Sequence, residues 1–157
     1  MKTKVERAHD LIEVAFSQKV DKGGVPYVLH CRHVHDTVVQ WVGENPDLQC
    51  IALLHDVLED CPQWSYAALK KEFGRPIAIG VHLLTREPGE NYGEYIESLL
   101  PYRDVCIVKL ADLKNNMDVT RLSFGITDND IYRLRKYHKA YKDIIAAWPE
   151  FRRFLRI

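Results

Sequence analysis

The chain has 157 residues, of which 46% are hydrophobic and 28% charged, a composition typical of a globular protein that buries a sizeable core. Its 22 Lys and Arg residues balance its 22 Asp and Glu residues, so net charge gives no sign of a nucleic acid partner. No apolar run approaches the ~18 residues of a membrane span, and the first residues do not resemble a signal peptide. We therefore expect a single domain over residues 1–157, with neither a membrane nor nucleic acid as partner.

The apolar pattern predicts an all-α fold, because apolar residues repeat with a helical period near 3.6 and alternating strand patterns are nearly absent. Segments rich in Gly and Pro, such as 21–26 and 43–46, separate the helices. Thr127 or Asp128 is a suitable N-cap for the last one. In chain order, the predicted helices cover about 8–16, about 27–42, a third that carries His55 and Asp56 and ends near Cys61, then 65–73, 75–85, 92–100, 102–117 and 128–147.

The four cysteines are scattered through the sequence without a Cys-x-x-Cys spacing. This pattern favours reduced thiols over a disulfide framework or a zinc knuckle. It predicts a cytoplasmic protein whose thiols are Cys31, Cys50, Cys61 and Cys106.

One aliphatic run, residues 51–60, carries an imidazole and a carboxylate at its centre, His55 and Asp56. Burying a polar group without a partner costs roughly 2–7 kcal/mol, and a charged group costs more. A divalent metal ion is the most economical way to compensate both side chains. The run therefore predicts a metal site.

Two other helical segments supply the remaining ligands for such a site. His30 lies early in the second predicted helix, and Asp112 lies inside the apolar stretch 108–113. With His55 and Asp56 they form a mixed nitrogen and oxygen set that suits Mn²⁺, Fe²⁺ or Co²⁺ and could take Zn²⁺. The positions of the cysteines exclude an all-thiolate zinc site.

Helical spacing places further polar groups beside these ligands. Glu59 follows His55 by four residues and Asp60 follows Asp56 by four, so each pair is expected to share a helix face. Asn116 likewise follows Asp112 by four residues. A carboxylate next to a metal-activated water can orient it or accept its proton, and a phosphorus ester or anhydride is the natural target.

Three segments, 21–30, 52–60 and 108–112 with Asn116, resemble the H…HD…D signature of the HD-domain phosphohydrolases. The similarity is greatest to the Rel/SpoT-type alarmone hydrolases and their small single-domain relatives, and it extends over about residues 8–122. The resemblance implies an HD-domain helical bundle and a Mn²⁺-dependent enzyme that removes the 3′-pyrophosphate of ppGpp or pppGpp by attack of a metal-activated water. Its site residues would be the metal ligands His30, His55, Asp56 and Asp112, the catalytic pair Glu59 and Asp60, and the substrate-binding residues Lys22 and Asn116.

The chain departs from that family at four positions. Cys31 replaces a proline, Phe16 and Lys19 replace a histidine and a glutamine, and Asp118 stands where many relatives have arginine. These departures leave two alternatives open: an HD-type hydrolase of another nucleotide or phosphorylated metabolite, and a non-catalytic nucleotide-binding module. The partner in each case is a small nucleotide-like molecule, and the sequence leaves the oligomeric state open.

The remaining polar and aromatic residues carry no ligand pattern. His33 and His35 fall on other helix faces than His30, so we expect solvated or packing roles for them. The basic face of the last predicted helix is typical of a solvated surface that could also steer an anionic substrate; it comprises Arg133, Arg135, Lys136, Lys139 and Lys142.

Overall fold

The computed structural model describes residues 1–122 and 125–155, and all the regular elements in those ranges are helical. The only β-type pairing there is an isolated bridge between Val20 and Pro26. The predicted all-α class is confirmed. The helices are α1 (Lys4–Ala15), α2 (Val28–Val42), α3 (Pro46–Leu54), α4 (Val57–Asp60), α5 (Tyr66–Phe73), α6 (Arg75–Leu84), α7 (Tyr92–Leu99), α8 (Arg103–Asn116) and α9 (Asp128–Ala147), with 3-10 segments at Val119–Arg121 and Pro149–Leu155.

Side-chain caps define the starts of several helices. The Thr3 hydroxyl accepts from the backbone N–H of Glu6, and the Glu6 carboxylate accepts from the N–H of Thr3, which completes a capping box. Thr127 and Asp130 form the same arrangement at the start of α9, so Thr127 is the N-cap. These bonds satisfy backbone N–H groups that have no partner within the helix.

The third predicted helix is wrong in its extent, because it is interrupted at the His-Asp pair. Helix α3 ends at Leu54, and the four-residue α4 starts at Val57. Asp56 has φ −100° and ψ 0°, outside the ideal helical values, while its carbonyl still accepts from the N–H of Asp60 at 2.9 Å. Beside this interruption the Asp56 carboxylate contacts Tyr27 and His30 at the start of α2.

Four helices, α2, α3, α6 and α8, pack against one another around the core. Seven consecutive residues of α3, Leu48 to Leu54, are buried, so α3 lies at the centre of the fold. The contact between α3 and α6 is close: a Cβ added at Gly80 would lie 2.5 Å from Ile51 Cδ1. Glycine at position 80 therefore allows α6 to approach α3 closely.

Two further features of the structure concern the cysteine thiols and the apolar character of the helices. All four cysteines are buried and unpaired. Among the residues that the structure describes, no helix has the length and apolar character needed to cross a bilayer.

Candidate metal centre

His55 occupies the junction between α3 and α4 and is 3% exposed. Its Nδ1 lies 2.8 Å from the carbonyl oxygen of Ala52, and because a carbonyl only accepts, Nδ1 carries the hydrogen. The Nε2 atom is thereby left to present a lone pair to a metal, or a proton when no metal is bound. Burial alone would lower the pKa of His55, but the neighbouring Asp56 and Asp112 carboxylates raise it well above its usual value.

His30 comes from the first turn of α2 and has an equivalent geometry. Its Nδ1 lies 2.7 Å from Asn115 Oδ1, and its Nε2 faces His55 Nε2 at 3.2 Å. Two imidazoles from separate helices therefore direct their Nε2 atoms at one point.

Two carboxylates meet the imidazoles at this point. Asp56 Oδ2 lies 3.0 Å from His55 Nε2 and 3.6 Å from His30 Nε2. Asp112 Oδ1, from α8, lies 3.2 Å from His30 Nε2 and 3.7 Å from His55 Nε2. Candidate ligand atoms of His30, His55 and Asp112 all lie within 4.8 Å of one another.

The donor set fits a divalent cation. Ligands at right angles, each about 2.1 Å from a cation, are about 3 Å apart. Each imidazole Nε2 here lies 3.0–3.7 Å from the other Nε2 and from one oxygen of each carboxylate. All four atoms are acceptors when the imidazoles are neutral and the carboxylates ionised, so without a cation or added protons they would repel one another. Two nitrogen and two oxygen ligands suit a first-row transition metal.

Neighbouring donors hold both carboxylates in position. The Tyr27 hydroxyl donates to Asp56 Oδ2 at 2.5 Å, and burial with the nearby Asp56 charge raises the pKa of Tyr27, which keeps that hydroxyl protonated. Asn116 Nδ2 donates to Asp112 Oδ1 at 2.6 Å, and Lys109 Nζ donates to Asp112 Oδ2 at 2.9 Å.

The Lys109–Asp112 ion pair is largely buried, with side chains 14% and 6% exposed. Burial opposes ionisation of Asp112, but the Lys109 ammonium and the two imidazoles hold the pKa of Asp112 well below its ordinary value. Burial alone would lower the pKa of Lys109, but the Asp112 carboxylate raises it well above its ordinary value. Asp112 is therefore ionised at neutral pH and available as a ligand.

The four candidate ligands adjoin a cleft of about 490 Å³, whose lining includes His30, Asp56 and Asp112. Lys136 and Arg86 also line the cleft, and both lie over the Tyr92 ring, at 4.6 Å and 5.8 Å from the ring centroid. Burial, together with the neighbouring Arg86 charge, lowers the pKa of Lys136. The basic residues lining the cleft are Lys19, Lys22, Arg86, Lys109, Arg121, Arg133 and Lys136.

Glu59 and Asp60 follow the metal ligands but occupy different surroundings. Glu59 lines the cleft and accepts from the backbone N–H of Arg86 at 3.2 Å. Burial raises the pKa of Glu59. Asp60 is not among the lining residues, and its carboxylate pairs with the ammonium of Lys19. The structure thus brings Glu59, but not Asp60, to the cleft wall.

The two residues expected to bind substrate both line the cleft. Lys22 is exposed in the loop between α1 and α2, and Asn116 lies at the end of α8 in contact with Asp112. Their roles toward a substrate stay predictions.

The residues that depart from the family pattern are distributed between the core and the cleft. Phe16 is buried with its ring centroid 5.2 Å from that of Tyr27, and Cys31 is buried behind the site. Lys19 Nζ lies 4.0 Å from the Tyr27 ring centroid. Asp118 lines the cleft, where it caps the 3-10 turn by accepting from the N–H of Thr120 at 3.0 Å.

Sequence reasoning missed several residues that support the metal ligands. Lys109 precedes Asp112 by three residues in a helix, and that spacing alone could have suggested their ion pair. Tyr27, Asn115 and Arg121 gave no such signal, because their partners in the site come from other elements. The expectation that His33 and His35 stay outside the metal site agrees with the geometry, in which His33 is exposed and His35 contacts Asp36.

No family model and no curated protein matches the chain. A solved structure does match: that of a metazoan orthologue of SpoT, described as hydrolysing ppGpp and playing a role in starvation responses. The two superpose with a TM-score of 0.78 over 98% of this chain and 96% of that chain, at 23% sequence identity. The chain shares the all-helical fold of that protein.

Proposed function

We propose that this protein is a metal-dependent phosphohydrolase that removes the 3′-pyrophosphate of ppGpp or pppGpp. The observation that carries the proposal is the convergence of His30, His55, Asp56 and Asp112, in which each imidazole Nε2 lies 3.0–3.7 Å from the other Nε2 and from one oxygen of each carboxylate. The site opens on a cleft with many basic residues, and the solved structure with the same fold is described as hydrolysing ppGpp.

A divalent cation bound by these ligands would polarise a phosphoryl oxygen and lower the pKa of a bound water toward neutrality. Glu59 is the residue that we propose as proton acceptor, because its carboxylate lines the cleft and is fixed by the Arg86 N–H. Its raised pKa brings it closer to the working pH, where a general base is most effective.

The other expected site residues have supporting roles in this proposal. Asp60 holds the Lys19 ammonium against the Tyr27 ring, and so orders the loop that leads to Lys22. Lys22 would contact substrate phosphate from this loop, and Asn116 would contact the substrate next to Asp112. Arg86 and Lys136, which also line the cleft, would neutralise further phosphate charge.

We include Mn²⁺ as the preferred cation and the cytoplasm as the location in this proposal. The mixed nitrogen and oxygen ligands support Mn²⁺, although they also suit Fe²⁺ and Co²⁺. Four buried, unpaired cysteines support a reducing compartment.

The proposal is tested by measuring pyrophosphate release from ppGpp with EDTA-treated protein, before and after addition of Mn²⁺. We expect activity only with the metal, and a loss of about 10²–10⁴-fold in Glu59→Ala, which lacks the proposed proton acceptor. Asp60→Ala should also lose activity, while the exposed Glu97→Ala on α7 serves as a matched control. Turnover by metal-free protein at the wild-type rate would refute the proposal.

A second candidate is the same chemistry on a different nucleotide or phosphorylated metabolite. The favouring observation is Asp118, whose carboxylate lies in the cleft lining, and whose hydrogen bond from the Thr120 hydroxyl lowers its pKa. A negative charge there disfavours one of the phosphates of ppGpp. A panel of nucleotides assayed with Mn²⁺ separates the two candidates: cleavage of another nucleotide with ppGpp untouched would favour the second, and tight binding without any cleavage would favour a non-catalytic module.

A further inference from the structure

A line of polar contacts connects His30 to the loop between α1 and α2. His30 Nδ1 lies 2.7 Å from Asn115 Oδ1, and the same oxygen accepts a short hydrogen bond from Arg121 Nη1. Arg121 Nη1 also donates to the main-chain carbonyl of Asn115 at 3.2 Å, and Arg121 Nη2 pairs with Asp21 Oδ2. The metal ligand is therefore joined to Asp21, more than ninety residues away from Asn115 in sequence, through one arginine.

The chemistry of arginine decides which way the Asn115 amide points. A guanidinium has only donors, so the amide atom that faces Arg121 must be the oxygen. The atom of Asn115 that faces His30 is that same oxygen, and an oxygen can only accept from the ring. His30 Nδ1 must therefore carry its hydrogen, which leaves the Nε2 lone pair for the metal.

The opposite amide orientation would disable the ligand. With the Asn115 NH₂ group turned toward His30, Nδ1 would become the acceptor, and a neutral His30 would carry its hydrogen on Nε2. That hydrogen would point at His55 Nε2, 3.2 Å away, and at the metal position. The same rotation would place an NH₂ group against the Arg121 guanidinium, donor against donor, so Arg121 disfavours it.

We propose that Arg121 is a positioning residue that fixes the amide of Asn115 and, through it, the metal-binding tautomer of His30. This inference rests on the metal site of the proposed function, but not on the identity of the substrate. Arg121 lines the cleft, but this role requires contact only with Asn115 and Asp21.

The loop holds Arg121 in the orientation this role needs. Asp21 Oδ1 accepts from the backbone N–H groups of Gly23 at 2.8 Å and Val25 at 3.0 Å, so the Asp21 carboxylate is fixed within its own loop. A Cβ added at Gly23 would lie 2.5 Å from the carbonyl oxygen of Arg121, which shows how closely the loop approaches the 3-10 turn. The side chains of Arg121 and Asp21 are only 26% and 10% exposed, so water competes weakly for their pairing.

The test is Mn²⁺ affinity, measured from the electron paramagnetic resonance signal of free Mn²⁺ in a titration of metal-free protein. Arg121→Ala is expected to bind Mn²⁺ about 10–100-fold more weakly, the usual effect of losing a group that orients a metal ligand. Arg135→Ala, an exposed arginine on α9, is the matched control and should bind as the wild type does.

A double variant separates orientation of the amide from general loosening of the loop. In Asn115→Asp the ionised carboxylate has no donor, so it accepts from His30 whichever way it turns and needs no arginine to orient it. Asn115→Asp/Arg121→Ala should therefore bind Mn²⁺ within about threefold of wild type or more tightly, as expected for coupled sites. A purely structural role would weaken the double variant as much as Arg121→Ala.

The outcomes are distinguishable. If the wild type binds no Mn²⁺, the metal site of the proposed function fails. If the wild type binds and Arg121→Ala binds equally well, or if the double variant is as weak as Arg121→Ala, the role of Arg121 is overturned. Should Arg121→Ala fail to fold, the comparison of Asn115→Asp with the double variant decides: a tenfold or greater loss in the double variant contradicts the inference.

Discussion

Replacing Lys109 by methionine removes the ammonium that faces Asp112 from the side away from the imidazoles. Methionine keeps most of the length and apolar surface of the lysine stem, so the change is mainly one of charge. In the wild type the Lys109 Nζ to Asp112 Oδ2 distance is 2.9 Å, and the two side chains are 14% and 6% exposed. Lys109→Met therefore leaves a buried carboxylate with only Asn116 and the two imidazoles beside it.

The expected loss of stability follows from this burial. Breaking a buried ion pair by removing one partner costs about 3–5 kcal/mol, and the lower end applies because the remaining donors still contact Asp112. A loss of about 3 kcal/mol lowers the melting temperature of a chain of this size by roughly 6–12 °C. A bound cation compensates the same carboxylate, and it is no longer repelled by the ammonium, so Mn²⁺ should raise the melting temperature of Lys109→Met more than that of the wild type.

The assay is thermal unfolding followed by circular dichroism, in EDTA and in Mn²⁺. Lys114→Met is the matched control, because Lys114 is exposed on the same helix, with its ammonium 5.6 Å from the Trp41 ring centroid. Equal melting temperatures for the two variants in EDTA would show that the Lys109–Asp112 pair does not stabilise the metal-free protein. A smaller Mn²⁺ shift in Lys109→Met than in the wild type would contradict the placement of the cation beside Asp112.

Three further predictions concern the catalytic carboxylate, the helix crossing and the support of Asp56. Glu59→Gln should abolish turnover, but it should not lower stability at neutral pH, since burial already disfavours the ionised carboxyl. In melting curves at different pH, any gain in melting temperature over the wild type should disappear as the pH falls through the raised pKa of Glu59, because the wild-type carboxyl also becomes neutral there. Gly80→Ala should destabilise the fold by about 1–3 kcal/mol in urea denaturation, because its Cβ would collide with Ile51; unchanged stability would contradict the close helix contact. Tyr27→Phe removes the hydroxyl that donates to Asp56 and should weaken Mn²⁺ binding about 10-fold by calorimetric titration, whereas wild-type affinity would exclude that support.

The helical fold could be predicted from the sequence because apolar periodicity reports directly which faces are buried. The ends of α2 and α9 lie within a residue of the predicted ones, where Gly43 and Thr127 mark the boundaries. The interruption between α3 and α4 could not be predicted in this way, since the aliphatic pattern continues through it. It depends on the tertiary contacts of Asp56 with Tyr27 and the imidazoles, which periodicity does not encode.

The four candidate metal ligands could also be predicted from the sequence. His30, His55, Asp56 and Asp112 stand out because each is a polar group in an apolar helical context, and the structure brings all four together. Of the residues that support them, Lys109 and Asn116 could be predicted from their helical spacing to Asp112, but the sequence does not show that Asn115 rather than the adjacent Asn116 reaches His30.

The contact between Arg121 and Asp21 could not be predicted either, because it joins a 3-10 segment to a loop 100 residues away in sequence.

For Asp60, helical spacing suggested a position that differs from the one in the structure. Its spacing from Asp56 suggested a common helix face, but its carboxylate pairs with Lys19 and does not line the cleft.

The central claim is that one divalent cation is held jointly by α2, the α3–α4 junction and α8. Crystals of the protein soaked in Mn²⁺ test it most directly, by anomalous diffraction at the manganese absorption edge. The expected result is one strong anomalous peak about 2.0–2.3 Å from His30 Nε2, His55 Nε2 and oxygens of Asp56 and Asp112. An ordered site without a peak there, at a Mn²⁺ concentration that saturates binding in solution, would contradict the account.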